Sequence, residues 1–158
     1  MSAPSCSPEF LRALATSFRH WTGRDLVPEP ESDDQLRSSL DSLPAVIVAH
    51  NRDPDPTFVY ANDLACQLWE MPKSELVGMP SRLTAEPMHR DERAQLLART
   101  QAHGFVDDYR GIRITARGKR FRIEQALLWN ILDARGELIG QAATFDQWTW
   151  LDEPGVEA

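Results

Sequence analysis

Side chains able to carry chemistry are few in this chain, and their spacing does not combine them. The histidines His20, His50, His89 and His103 stand alone, none with a second ligand type at the spacing of a zinc site. Cys6 lies in a polar leader and Cys66 in an amphipathic stretch, so neither a disulfide framework nor a Cys/His pair is suggested. Acid–base catalysis by carboxylates needs two groups held together with separated proton affinities. Asp107 and Asp108 are adjacent, which in a strand sends them to opposite faces. Glu86, Asp91 and Glu92 read as the acidic start of a helix. There is no Gly-x-Ser-x-Gly elbow and no phosphate loop. The residues point to binding rather than catalysis, and to no metal.

Gln125 is the polar residue that stands out. It falls in the run Arg120 to Leu132, where Phe121, Ile123, Leu127, Trp129 and Ile131 alternate as one apolar face. A polar side chain on a buried face must find a partner. That partner is a ligand, or else the backbone, Asn62 or water. Trp69 and Trp129 are expected to line the same interior. The expected binding set is therefore Gln125, Trp129, Trp69, Ile123 and Asn62.

The elements that must position these residues can be read in order. Ser7-Pro8 caps a first helix, on which Phe10, Leu14, Phe18 and Trp21 share a face and which Gly23 ends. That stripe suits either dimerisation or packing on the chain's own sheet. Ser32-Asp33-Asp34-Gln35 is a capping box for a second helix, stopped by Pro44. Ala45 to His50 and Thr57 to Ala61 flank a dense turn and read as a hairpin. Asn62 or Asp63 caps a short helix through Trp69. Arg90 to Ala102 is a clearer helix, ended by Gly104. Three strands follow: Tyr109 to Thr115, Arg120 to Leu132, and Glu137 to Phe145. Trp148 and Trp150 fit a partner surface or packing on the first two helices.

Composition narrows the function classes. With 42% hydrophobic and 26% charged residues among 158, the chain has the balance of one folded domain rather than a disordered one. A net charge of −7 repels phosphate backbones, and the densest basic run, Arg113 to Arg122, is interleaved with apolar strand residues. Nucleic acid is not an expected partner. No apolar run approaches a membrane span, and the first residues lack a signal-peptide pattern, which makes the cytoplasm the expected location.

The order of elements resembles the PAS fold. The matching stretches are Val59-Tyr60-Ala61-Asn62, Ser74-Glu75-Leu76-Val77-Gly78, Arg117-Gly118-Lys119-Arg120, Asp133-Ala134-Arg135-Gly136 and Phe145-Asp146. A narrower likeness is to the MEKHLA family, a PAS-related group. It rests on Phe18-Arg19-His20-Trp21-Thr22-Gly23, the run from Pro80 to Pro87, Gly104-Phe105-Val106-Asp107-Asp108-Tyr109 and Arg120 to Ala126 followed by Trp129-Asn130. The resemblance implies an α+β domain: an antiparallel sheet of about five strands with short helices on one face, preceded by N-terminal helices. It divides the chain into a helical extension at 1–43, a PAS-like domain at 44–151 and a tail at 152–158. It also implies a non-enzymatic regulatory role, sensing an unknown small molecule or docking a protein partner, with a homodimer as one form of output. The rival readings are a cone-shaped α+β hydrolase or isomerase and a ligand-free dimerisation domain.

The same resemblance bears on cofactors. Light-sensing PAS domains carry a reactive cysteine in a stretch comparable to Gly78-Met79-Pro80-Ser81-Arg82-Leu83, where this chain has Ser81. Trp129-Asn130-Ile131 looks like a flavin-contact motif but falls several residues late, and Ile123 holds the in-register position. Haem would need His89 or His103, beside or at the end of the long helix, where a histidine more often serves the helix dipole. Neither flavin nor haem is expected, and the ligand stays unknown.

Overall fold

Local chemistry sets the first two helices. In the computed structural model, which describes residues 6–151, helix α1 (Pro8–Thr22) starts where the Ser7 hydroxyl accepts from the Phe10 N–H at 3.1 Å. It stops at Gly23, whose φ of 74° suits a residue without a Cβ. Helix α2 (Asp33–Asp41) starts at Ser32, which accepts from the Gln35 N–H at 3.0 Å. The Gln35 carboxamide reaches one residue further back than a capping box requires and accepts from the Glu31 N–H. The tail expected at 152–158 and the first five residues of the helical extension lie outside the described residues.

The sheet follows the expected order with one addition. Strands β1 (Val46–Asn51) and β2 (Phe58–Ala61) form the hairpin. Helices α3 (Asp63–Trp69) and α4 (Lys73–Leu76), two 3₁₀ turns at Ser81–Thr84 and Pro87–His89, and α5 (Arg90–His103) come next. Strands β3 (Phe105–Ile114), β4 (Arg120–Leu132) and β5 (Leu138–Phe145) complete an antiparallel sheet in the order β2-β1-β5-β4-β3. A further strand, β6 (Gln147–Trp150), resumes after Asp146 and pairs with the start of β4. This is where Trp148 and Trp150 go. Their rings meet Phe145 and Phe121 edge-on, at 6.1 and 5.7 Å, not the first two helices.

Strand β4 does not keep one apolar face. Its partner changes from β6 to β5 between Glu124 and Leu127, and in that gap Gln125 takes a left-handed φ of 49°. The extra residue is a bulge, and a strand's period of two means that a one-residue insertion flips every later side chain. Phe121, Ile123, Ala126 and Leu128 therefore face α3 and α5, while Leu127, Trp129 and Ile131 face α1 and α2. Across the gap β3 is irregular too, with Asp108 at φ 59° and both Asp107 and Asp108 exposed.

The result is a sheet covered on both faces. Val46 and Val48 of β1 enter the core beneath α3 and α5, and Ile47 and Ala49 enter the core beneath α1 and α2. On the second face Leu11, Leu14 and Phe18 of α1 are buried, and the Trp129 indole N–H donates to the Leu14 carbonyl at 3.1 Å. Phe18 meets the Trp129 ring edge-on at 4.9 Å. The stripe of Phe10, Leu14, Phe18 and Trp21, read as a dimer surface or a sheet cover, packs on the chain's own sheet.

Candidate functional site

A cavity of about 60 Å³ lies between the sheet and α5, with Trp69 of α3 in its lining. Its walls are largely the inward residues of β1, β4 and β5, with Val48, Ile123, Ala126, Leu128 and Phe145 apolar. The bulge at Gln125 brings Ala126 and Leu128 to this wall; an unbroken alternation would have brought Leu127 and Trp129 instead.

The polar lining is unusual for so buried a space. His50 ends the inward row of β1 and is 8% exposed. Its Nδ1 contacts the Asn51 carbonyl at 2.8 Å and so carries the proton, leaving Nε2 as a buried acceptor without a partner among the described residues. Burial lowers its pKa to about 4, the neighbouring Arg93 charge adding to the effect, so the ring is neutral near pH 7. The Trp69 indole N–H is buried and unpartnered in the same way. Arg93 of α5 and Arg113 of β3 reach the cavity from two sides. Burial, then repulsion from Arg113, lowers the Arg93 pKa to about 10.

An outer cleft of about 440 Å³ lies between the 52–56 turn and α5. His50, Arg93, Leu97 and Gln141 line both spaces, so they stand between them. Ser81 is buried, and its hydroxyl accepts from Arg93.

The structure separates the residues expected to form one binding set. Trp69 and Ile123 line the cavity. Gln125 does not: it is exposed at the bulge, because the extra residue turns it out of the face on which regular alternation placed it. Trp129 lies on the opposite face of the sheet, under α1. Asn62 is wholly buried but spent on backbone. Its carbonyl oxygen accepts from the Ile47 and Ala65 N–H groups, both at 3.1 Å, and its amide donates to Leu40 and Ala45 carbonyls. The polar lining that the sequence left unmarked includes His50, Arg93 and Arg113, with Thr84, Tyr109 and Gln141. Arg113 had one available signal, a cation on an inward position of a strand. Arg93 had none, since its helix is polar almost all round.

The family model of the MEKHLA domain matches residues 8–150, helices α1 and α2 included. The chain belongs to the MEKHLA domain family. Among solved structures, this MEKHLA chain is similar to the PAS domain of a protein from Colwellia psychrerythraea. That match has a TM-score of 0.62 and 13% identity, over 70% of this chain and 92% of that one. It is also similar to a light-oxygen-voltage domain studied with a flavin analogue (TM-score 0.58, 17% identity, 73% and 84% covered). A light-oxygen-voltage protein of Rhodobacter sphaeroides gives 0.58 at 13% identity, with 75% and 66% covered. No curated protein matches the chain. At these identities the neighbours establish the PAS-like fold and nothing further.

A flavin does not fit the residues of this MEKHLA domain. A space of about 60 Å³ is too small for a three-ring system, and Trp69, Phe58 and Phe145 fill the volume around it. The buried Ser81 is engaged with Arg93 and offers no thiol. His89 and His103 do not line the cavity.

Proposed function

We propose that this MEKHLA domain is a sensory module whose cavity between the sheet and α5 takes a small molecule. The observation that carries the reading is the pair of buried polar atoms, His50 Nε2 and Trp69 Nε1, unpartnered among the described residues and belonging to two side chains that line one cavity. A buried donor or acceptor left unpaired is destabilising by about 1–3 kcal/mol, and native proteins rarely keep such groups without a use for them. The lining includes no carboxylate and no cysteine, which favours a binding module over a hydrolase or isomerase.

Occupancy has a physical route to the far side of the sheet. Gln141 donates to the Leu97 carbonyl of α5 at 3.0 Å and to the Asn130 side-chain oxygen at 3.1 Å. Asn130 in turn donates to the Gln101 carbonyl of α5, while its own carbonyl accepts from the Trp21 indole N–H of α1 at 2.9 Å. A shift of α5 over an occupied cavity thus pulls on the same residue that anchors α1. Packing reinforces the contact, since a Cβ on Gly104 would stand 2.3 Å from the Trp21 ring. In this reading α1 is the output element, and any dimer or partner contact is modulated through it. The state that the ligand prefers is favoured by no more than its difference in affinity for the two.

Native mass spectra of freshly purified protein, before and after denaturation, test the reading. A small species released on denaturation, and lost when Ala126→Leu fills the cavity, is the expected result. A wild-type protein of clean apo mass that binds no small molecule would sink it.

A further inference from the structure

Arg93 and Arg113 are 8% and 7% exposed, yet among the described residues neither has a carboxylate within ion-pair distance. Their partners are neutral. Arg93 donates to the Ser81 hydroxyl; Arg113 donates to the Ile112 carbonyl at 2.9 Å and the Tyr109 hydroxyl at 3.3 Å. The acids nearby are engaged elsewhere: Glu92 accepts from the Tyr109 hydroxyl at 2.9 Å, and Asp55 pairs with Arg82 at 3.0 Å. Two buried guanidinium groups on one cavity repel each other, and burial removes the water that would screen them. A single anion between them relieves both effects.

We infer that the cavity binds a small carboxylate with an apolar body, its charged end held by Arg93 and Arg113. This rests on the pocket reading above and names the ligand class for that pocket. The planar guanidinium matches the two oxygens of a carboxylate. The rest of the molecule meets Val48, Ile123, Ala126 and Leu128, which reward apolar surface only. A phosphate suits the space less well. Its further oxygens would meet those aliphatic walls and the Nε2 lone pair of His50, and the Trp69 N–H is the one further unpartnered donor. His50 accepts instead from a hydroxyl, on the ligand or on a water. Entry is from the outer cleft, which Arg82 and Arg90 line, past the shared residues His50, Arg93, Leu97 and Gln141.

The test compares acids with neutral isosteres. Thermal melts and tryptophan fluorescence are followed at constant ionic strength with sodium acetate, sodium propionate, acetamide, propionamide and inorganic phosphate. One or both acids should bind saturably and raise Tm, with the matching amide at least tenfold weaker. Arg113→Met should weaken acid binding at least tenfold while melting at the same temperature or higher, because it removes an unpaired buried charge. The wild-type comparison of acid with amide stands even if the variant does not fold. Equal affinity for propionate and propionamide overturns the carboxylate and leaves the pocket. Binding of phosphate alone, or acid binding unchanged in a folded Arg113→Met, overturns it as well. If none of the five probes binds, the native mass spectrum separates the two failures. A released neutral species removes the carboxylate alone; no released species removes the pocket with it.

Discussion

Asn62 shows how one side chain can tie a fold together. Its four hydrogen bonds join the end of α2, the start of β1 and the first turn of α3. Asn62→Ala leaves two backbone N–H groups and two carbonyls without these partners in a dry setting. It should destabilise the domain by about 3–4 kcal/mol in urea denaturation; a loss below about 1 kcal/mol would mean that the surrounding backbone re-pairs. His50 makes a pH-dependent contribution of definite sign. Its folded pKa of about 4 lies below the usual value of 6.5, so above pH 6.5 the ring is neutral in both states and nothing is lost. Between pH 6.5 and 4 the unfolded chain takes up the proton and the folded chain does not. Stability falls across that window by on the order of 3 kcal/mol. Glu70, Glu86 and Glu124, whose pKa values are lowered by hydrogen bonds to Thr115, Arg120 and Arg122, lose their contributions further down, below about pH 4.5. Denaturant midpoints for wild type and His50→Asn should therefore diverge between pH 6.5 and 4.5. Parallel curves would place the titration elsewhere.

At the scale of the element, the bulge in β4 divides the strand's labour. Ahead of Gln125 the odd positions face the cavity; after it the even positions do. Gln125 has the left-handed φ that a β-branched side chain resists and glycine accepts. Gln125→Gly should stay within about 0.5 kcal/mol of wild type, relief of strain being offset by a more flexible unfolded chain. Gln125→Val should lose about 1–2 kcal/mol. Equal stability of the two variants would argue that residue 125 is not held in that conformation. Deleting the residue is a different perturbation: it removes the bulge and leaves a strict alternation in which Ala126 and Leu128 still face α5 and Trp129 and Ile131 still face α1.

Across the whole molecule, the sheet is a shared wall between two cores. One holds the cavity with its buried cations; the other holds α1 and α2 against Trp129, and belongs to the region that the family model matches. Asn130 bridges them, bonded to α5 through its side chain and to α1 through its carbonyl. Asn130→Val removes the α5 contacts without touching α1 directly. Amide exchange should quicken around Leu97 to Gln101 and, through the lost alignment of β4, in the last turn of α1 as well. A response confined to α5 would show that the two faces are not coupled through this residue. Among the described residues no helix is long and apolar enough to cross a membrane.

Most of the element order was legible in the sequence because it is written in local chemistry. Ser7-Pro8, Gly23, Ser32, Asn62 and Gly104 act within a turn of their own positions, and each marks an element boundary in the structure. The PAS-like order of strands and helices follows from those boundaries and from apolar periodicity. The cavity's composition was not legible, for two physical reasons. A bulge is a property of two paired strands, so Gln125 read as inward and Trp129 as a pocket residue until β5 and β6 were seen to share one edge of β4. And whether a cation is solvated or buried depends on what packs over it. Arg93, on a polar helix, carries no local mark at all, and the inward register of Arg113 in its strand does not tell that α5 and β3 close the two cations into one dry space.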